Sequence, residues 1–437
     1  MVPVTLGFFI WFVVPLYRNV IKLSAYEYFE KRFGFLARLY SSLGFFLAHF
    51  SKMGTVFFLL ALAFAKMTGF DTVTLIWILG LLILFITLIG GIEAILWLDL
   101  FQGLLLIFGG IIALLIIVFE MPGGFSSIWS IAYENGHIGF GPFDCSFVKL
   151  TFWVMVLNGI FYAIQKYGTD QTIVQRYLSA KSDKAAIKAS LIGVGLTVPV
   201  WALFMFIGTA LFSFYHSGFI KLPDNLTAEE VFPHFIMSQM PVGVIGLILA
   251  ALLAAAISSL DSDLNCLSAI VVGDYYNRFW PNKTEKKRMF VSRVTIIIAG
   301  LASTLIALYY VKIGGEGILG IVFTLYSIFS GGIAGMFLLG IFTKKANKQG
   351  LYIGIAACVL FTAWAVLTST KFVVGSEKLL LLDLGKYNYT HHKLMLGVYS
   401  HIVLFVVGYI ASLFFKAPEN IDNLTYKGWI KIRNKNN

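Results

Sequence analysis

Long apolar runs, separated by clusters of glycine, proline and charge, constrain this chain more than any other feature of its sequence. A helix crosses the hydrocarbon core of a bilayer in roughly 20 residues. On that scale the sequence divides into eleven runs: Val4 to Leu16, Leu39 to Ala65, Val73 to Gly90, Ile95 to Phe119, Leu150 to Thr172, Ala186 to Tyr215, Val242 to Asp274, Val291 to Val311, Ile318 to Phe342, Leu351 to Thr368 and Leu394 to Phe415. A transmembrane β-barrel is excluded, because its strands alternate over only ~10 residues. Of the 437 residues 59% are hydrophobic and 13% are charged, whereas about a quarter of a soluble domain is charged. The chain is therefore expected to be an all-α polytopic membrane protein.

The formal charge of +11 resembles that of a nucleic-acid binder until it is mapped. One set of alternate loops, beginning with Arg18 to Arg38 and ending with the tail from Lys416 to Lys435, holds 23 lysines and arginines, and the opposite set holds eight. By the positive-inside rule the N-terminus is outside and the C-terminus cytoplasmic. The basic excess is thereby assigned to membrane topology, and no nucleic-acid partner is expected. Cys145, Cys266 and Cys358 lack metal spacing, and His49, His216, His234, His391, His392 and His401 read as surface histidines. No Walker motif supports ATP-driven transport.

Ionisable side chains inside spans are the informative residues, since each costs on the order of 2.5–3.5 kcal/mol at a helix centre. These are Lys52, Asp99, Lys166, Asp170, Asp261 and Asp263. In the seventh run, helical steps of three and four align Ser258, Asp261 or Ser262, and Asn265 on one face. Such a stripe serves either as glue between helices or as a set of hard oxygens for a sodium ion. In the fifth run, Gly159 and Gly168 bracket Lys166. That pattern fits either an interrupted transporter helix or a simple helix end with Asp170 and Arg176 in cytoplasmic water.

Five segments in one order resemble the sodium:solute symporter family. They are Tyr26 to Phe33, Gly90 to Gln102 with its Trp97-Leu98-Asp99, Gly168 to Lys181, Ser258 to Asn265 with its Asp274-Tyr275-Tyr276 ending, and Phe337 to Gly350. The resemblance covers nearly the whole chain. It implies a LeuT-type inverted-repeat fold, with residues 4–120 as an incomplete first repeat, 150–342 as the second, 343–415 as accessory helices and 416–437 as a cytoplasmic tail. It also implies one or two further helices ahead of Val4, encoded by an upstream extension of about 50 to 80 residues. Without them the protein would be a fragment or a shortened form that has lost the ion site.

The same resemblance implies sodium-coupled uptake of a small organic solute by alternating access, with no covalent catalysis, no organic cofactor and no metal other than transported sodium. Ala255, Ser258 and Ser259 match the family's sodium ligands, through a carbonyl and two hydroxyls. Asp99 matches an acidic residue of a second ion site; Leu98 replaces the small polar residue usual before it, and Asp261 is positioned to supply an oxygen instead. Lys52 matches the site where acid-transporting relatives place an arginine facing the solute carboxylate. Lys166 stands where sugar carriers place their inner-gate aromatic, with Tyr167 following it, while Ala163, Thr197 and Phe323 stand where those carriers place polar sugar contacts. The expected solute is an anion such as a sialic acid, a sugar acid or another carboxylate. The alternatives are a neutral sugar or polyol, or a transport-silent membrane sensor or scaffold. Internal pairing of Lys52 or Lys166 with Asp99, Asp261 or Asp263 is the competing use of the two lysines.

Overall fold

The computed structural model describes residues 2–21, 24–89, 92–224, 226–282, 284–313, 328, 331–374, 377–419, 421–426 and 428. Its helices follow the apolar runs. Those preceding the loop at residues 135–151 are α1 (Val2–Leu16), α2 (Ala25–Phe33), α3 (Phe35–Thr68), α4 (Thr72–Ile89), α5 (Ile92–Glu120) and α6 (Gly124–Glu134). There follow α7 (Phe152–Thr169), α8 (Gln171–Ser179), α9 (Asp183–His216), α10 (Val231–Gln239), α11 (Val242–Ile270), α12 (Asn277–Phe279) and α13 (Glu285–Ile313). The last are α14 (Ile333–Phe342), α15 (Lys348–Ser369) and α16 (Lys393–Ser412).

Among the described residues eight helices are long and apolar enough to cross a membrane. The runs beginning at Val4 and Leu150 form shorter or more polar helices. Most of the run from Ile318, including Phe323, lies outside the described residues. Large outward side chains such as Phe101, Phe108, Trp201 and Leu360 are exposed, as a lipid-facing surface requires. Among the described residues one short antiparallel hairpin, β1 (Lys371–Val374) with β2 (Glu377–Leu380), stands between the helices and pairs Lys371 with Leu380.

The chain forms two compact units, and two of the boundaries fall inside α3 and α9. The first comprises residues 1–48, 140–192 and 323–437. At its centre the ring of Phe337 meets Phe9, Tyr28 and Phe29 edge-on, with centroids 5.9, 5.6 and 6.4 Å away. Buried Arg32 on α2 donates to the carbonyls of Gly340, Thr343 and Ala346 at 3.2, 2.8 and 2.8 Å. It thereby closes the C-terminal end of α14, where carbonyls lose their helical partners. Arg18 does the same for α8, donating to the carbonyls of Tyr177 and Ala180 at 2.6 and 2.7 Å while pairing with Asp183 at 2.7 Å.

The second unit comprises residues 49–139 and 193–322. Its apolar centre joins Met67, Ile117, Ile128, Phe214, Phe235 and Ile248, contributed by six helices. Beside it Glu230 bonds back to the Thr227 amide at 3.1 Å in a capping box and pairs with Lys66 at 3.0 Å. Burial pulls the Glu230 carboxyl upward, but the Thr227 amide and the Lys66 ammonium outweigh it and hold the group below its ordinary 4.5.

Two outcomes follow from this packing. A Cβ added to Gly335 would lie 2.1 Å from the His401 carbonyl oxygen, whereas one on Gly208 would meet nothing within 4 Å. Gly335→Ala is expected to destabilise by about 1–3 kcal/mol, the usual cost of overpacking, and Gly208→Ala to be neutral or slightly stabilising, in thermal melts of the purified protein. For Glu230 the depressed native pKa means that its contribution is complete above pH about 4.5 and is lost as the pH falls further. Glu230→Gln should therefore lower the melting temperature at neutral pH and flatten its fall below pH 4.5.

Candidate functional site

The small residues of α11 let α5 approach it closely: a Cβ added to Gly109 would sit 3.4 Å from Ala251. Two turns further along α11, the Ser258 hydroxyl donates to the Asp99 carboxylate. Asp261 is 3% exposed, and its backbone and side-chain oxygens accept from Asn265 at 2.9 and 3.1 Å. Asp99 stands close enough to Asp261 for their charges to repel. Ala255, Ser258 and Ser259 are partly buried on the same helix. Because α11 is unbroken here, the Ala255 carbonyl has only its second lone pair for a cation. Two carboxylates and the Ser258 hydroxyl thus gather on α5 and α11, where an added cation would offset the repulsion of the carboxylates.

Lys52, on α3, reaches the same helix. Its ammonium lies 2.8 and 3.1 Å from the two oxygens of Asp263, and the Nδ1 of His49 lies 3.0 Å from one of them. The internal pairing of Lys52 is therefore realised, with Asp263 as the partner. The Lys52 side chain remains 38% exposed, whereas those of Asp263 and His49 are 1% and 3% exposed. His49 is thus no surface histidine, and neither is buried His401. His49 precedes Lys52 by three residues, which is one helical turn. That spacing was the available signal.

Lys166 sits in the first unit and has a different partner from any expected. It bonds Asp170 at 2.7 Å and Thr172 at 3.2 Å. Asp170 is 5% exposed and is not in cytoplasmic water. The backbone turns extended there, ending α7, and the Asp170 carboxylate receives the Thr172 amide at 2.9 Å, starting α8. The Lys166 ammonium neutralises that capping carboxylate. The Tyr167 carbonyl accepts from Tyr177 at 3.1 Å, and the Gly168 carbonyl from Tyr17 at 2.6 Å. Thr197 bonds the Gly193 carbonyl of its own helix at 2.8 Å. The expected contact Phe323 lies outside the described residues. Among the described residues no cluster of three or more His, Cys, Asp or Glu is arranged to hold a metal ion.

Comparison with known proteins converges on one group. The chain is 29% identical to the sodium/sialic acid symporter NanT of Aliivibrio fischeri, over 95% of this chain and 78% of that protein. It is 34% identical to the sodium/sialic acid symporter SiaT of Proteus mirabilis, over 80% and 71%. Its fold matches a solved structure of a Na+-coupled sialic acid symporter in its substrate-bound outward-open state, with a TM-score of 0.83, 31% identity and coverage of 95% and 82%. The LeuT-type architecture implied by the sequence motifs is accordingly the fold of this chain. Residues 2–357 match the sodium:solute symporter family, and the chain is a multi-pass membrane transporter of that family.

Proposed function

We propose that this protein carries a small anionic solute, a sialic acid or a closely related sugar acid or carboxylate, into the cell together with sodium, by alternating access and without covalent chemistry. The observation that carries the sodium half is the contact of Ser258 with Asp99, beside Asp261. A serine hydroxyl bonded to a carboxylate serves as a placeholder: by rotating it withdraws its proton and presents a lone pair to an arriving ion. Ala255, Ser258, Ser259, Asp99 and Asp261 are the proposed ion ligands. Asp261 supplies the oxygen that Leu98 cannot.

The solute half rests on Lys52 and on the similarity to two sodium/sialic acid symporters. A half-exposed ammonium on a membrane helix is a natural partner for a carboxylate. A neutral sugar gains little from it. Lys166, Tyr167, Thr197 and Phe323 complete the proposed solute set, with Lys166 acting indirectly by fixing the turn between α7 and α8. Residues 4–120 and 150–342 are taken as the two repeats.

The driving force is adequate. A tenfold sodium gradient contributes about 1.4 kcal/mol and 100 mV about 2.3 kcal/mol, so one tightly coupled ion sustains roughly a 500-fold solute gradient.

Proteoliposome uptake of a sialic acid tests this reading. Uptake should require sodium, and Ser258→Ala should raise the half-saturating sodium concentration about tenfold, equivalent to ~1.4 kcal/mol. Asp99→Asn should weaken sodium dependence further. Equal uptake in sodium and in choline would defeat the mechanism, and its absence in both would favour the sensor or scaffold.

The proposed orientation has the N-terminus outside and the C-terminus in the cytoplasm. With the exposed native Cys145 replaced, a cysteine at Asn135 should react with an impermeant thiol reagent from outside, and one at Lys431 only after permeabilisation. Reaction of both from one side would overturn the orientation.

A further inference from the structure

Asp263 has a use that the ion and solute readings leave open. Its carboxylate is nearly sealed from solvent and is approached by two side chains of one α3 face, Lys52 at 2.8 and 3.1 Å and His49 at 3.0 Å. The three partners differ in freedom. Asp263 is short and sealed within the unit, and His49 is equally enclosed, whereas Lys52 has a four-carbon stem and keeps 38% of its side chain exposed. Lys52 is thus the member that can turn to another anion. Asp261, the neighbouring carboxylate on α11, is already engaged by Asn265 and offers Lys52 no equivalent partner.

We propose that Asp263 is a built-in competitor for the solute carboxylate at Lys52, and that His49 holds Asp263 in place when Lys52 leaves it. The inference rests on the reading of Lys52 as the solute contact and assigns Asp263 and His49 as positioning and specificity residues for that contact. Three consequences follow. With no solute present, Lys52 and Asp263 cancel each other, so no bare ammonium invites inorganic anions into the carrier. Binding an acid requires exchanging one carboxylate for another, and only an anion that also gains contacts elsewhere makes the exchange worthwhile. Lys52→Ala alone is also a poor test of solute contact, because it strands a buried carboxylate.

The experiment measures binding of a sialic acid and of its uncharged methyl ester to the purified protein in saturating sodium, in gluconate and in chloride. Asp263→Asn is expected to raise the preference for acid over ester roughly tenfold and to make chloride a competitor of the acid. His49→Gln should lower that preference several-fold, because Asp263 then relies on Lys52 alone. The double variant Lys52→Ala with Asp263→Asn removes both charges together and should bring the preference close to one. An unchanged or reduced preference in Asp263→Asn, with loss of preference in the double variant, overturns the competitor role and leaves Lys52 as the contact. The parental preference persisting in the double variant overturns the solute contact itself, and this proposal with it. Should Asp263→Asn fail to fold, an unchanged preference in His49→Gln is the overturning result.

Discussion

Backbone carbonyls and amides freed where a membrane helix stops must find partners inside the protein, because hydrocarbon offers none. The breaks described in this chain are closed by side chains, some local and some drawn from distant sequence. Arg32 gathers three carbonyls at and just beyond the end of α14, and Arg18 those that end α8. Asn347 both starts α15 by bonding the Gly350 amide and reaches the Ser412 carbonyl at the end of α16. Asp170 joins α7 to α8. Broken helices of this kind are what allow a transporter to carry polar groups at membrane depth, so these closures are a precondition for any solute or ion site.

The same economy governs charge. Each of the two lysines within the expected spans is matched to a carboxylate within its own compact unit, Lys52 to Asp263 and Lys166 to Asp170. The two pairs are built differently. Lys166 and Asp170 are four residues apart on one helical turn, and their pairing serves the turn itself. Lys52 and Asp263 join α3 to α11 across 211 residues, with the ammonium less enclosed than the carboxylate. Asp99 and Asp261 have the opposite arrangement, two like charges tempered by hydroxyl and amide donors.

The spans were legible because length and hydropathy act locally: α4, α11 and α15 start within three residues of the expected runs. The contact between Asp99 and Ser258 joins two residues that sequence motifs singled out independently. What could not be read were partners set by tertiary packing. Arg18 and Arg32 count equally toward topology in a charge census, yet the carbonyls that Arg32 caps lie some 300 positions away and leave no trace in composition. The burial of Asp170 was hidden because a helix end in water and a helix break inside protein share the same polar sequence. The β1–β2 hairpin falls in a stretch that a search for membrane spans passes over.

The Lys52–Asp263 pair also limits how such a carrier can diverge. Losing Lys52 first leaves the nearly sealed Asp263 without its ammonium, so a lineage shifting from acids to neutral solutes faces a destabilised intermediate on that route. The two positions should therefore drift in concert, exchanged for a neutral couple or kept together. His49 would be released from constraint only after its carboxylate partner had gone.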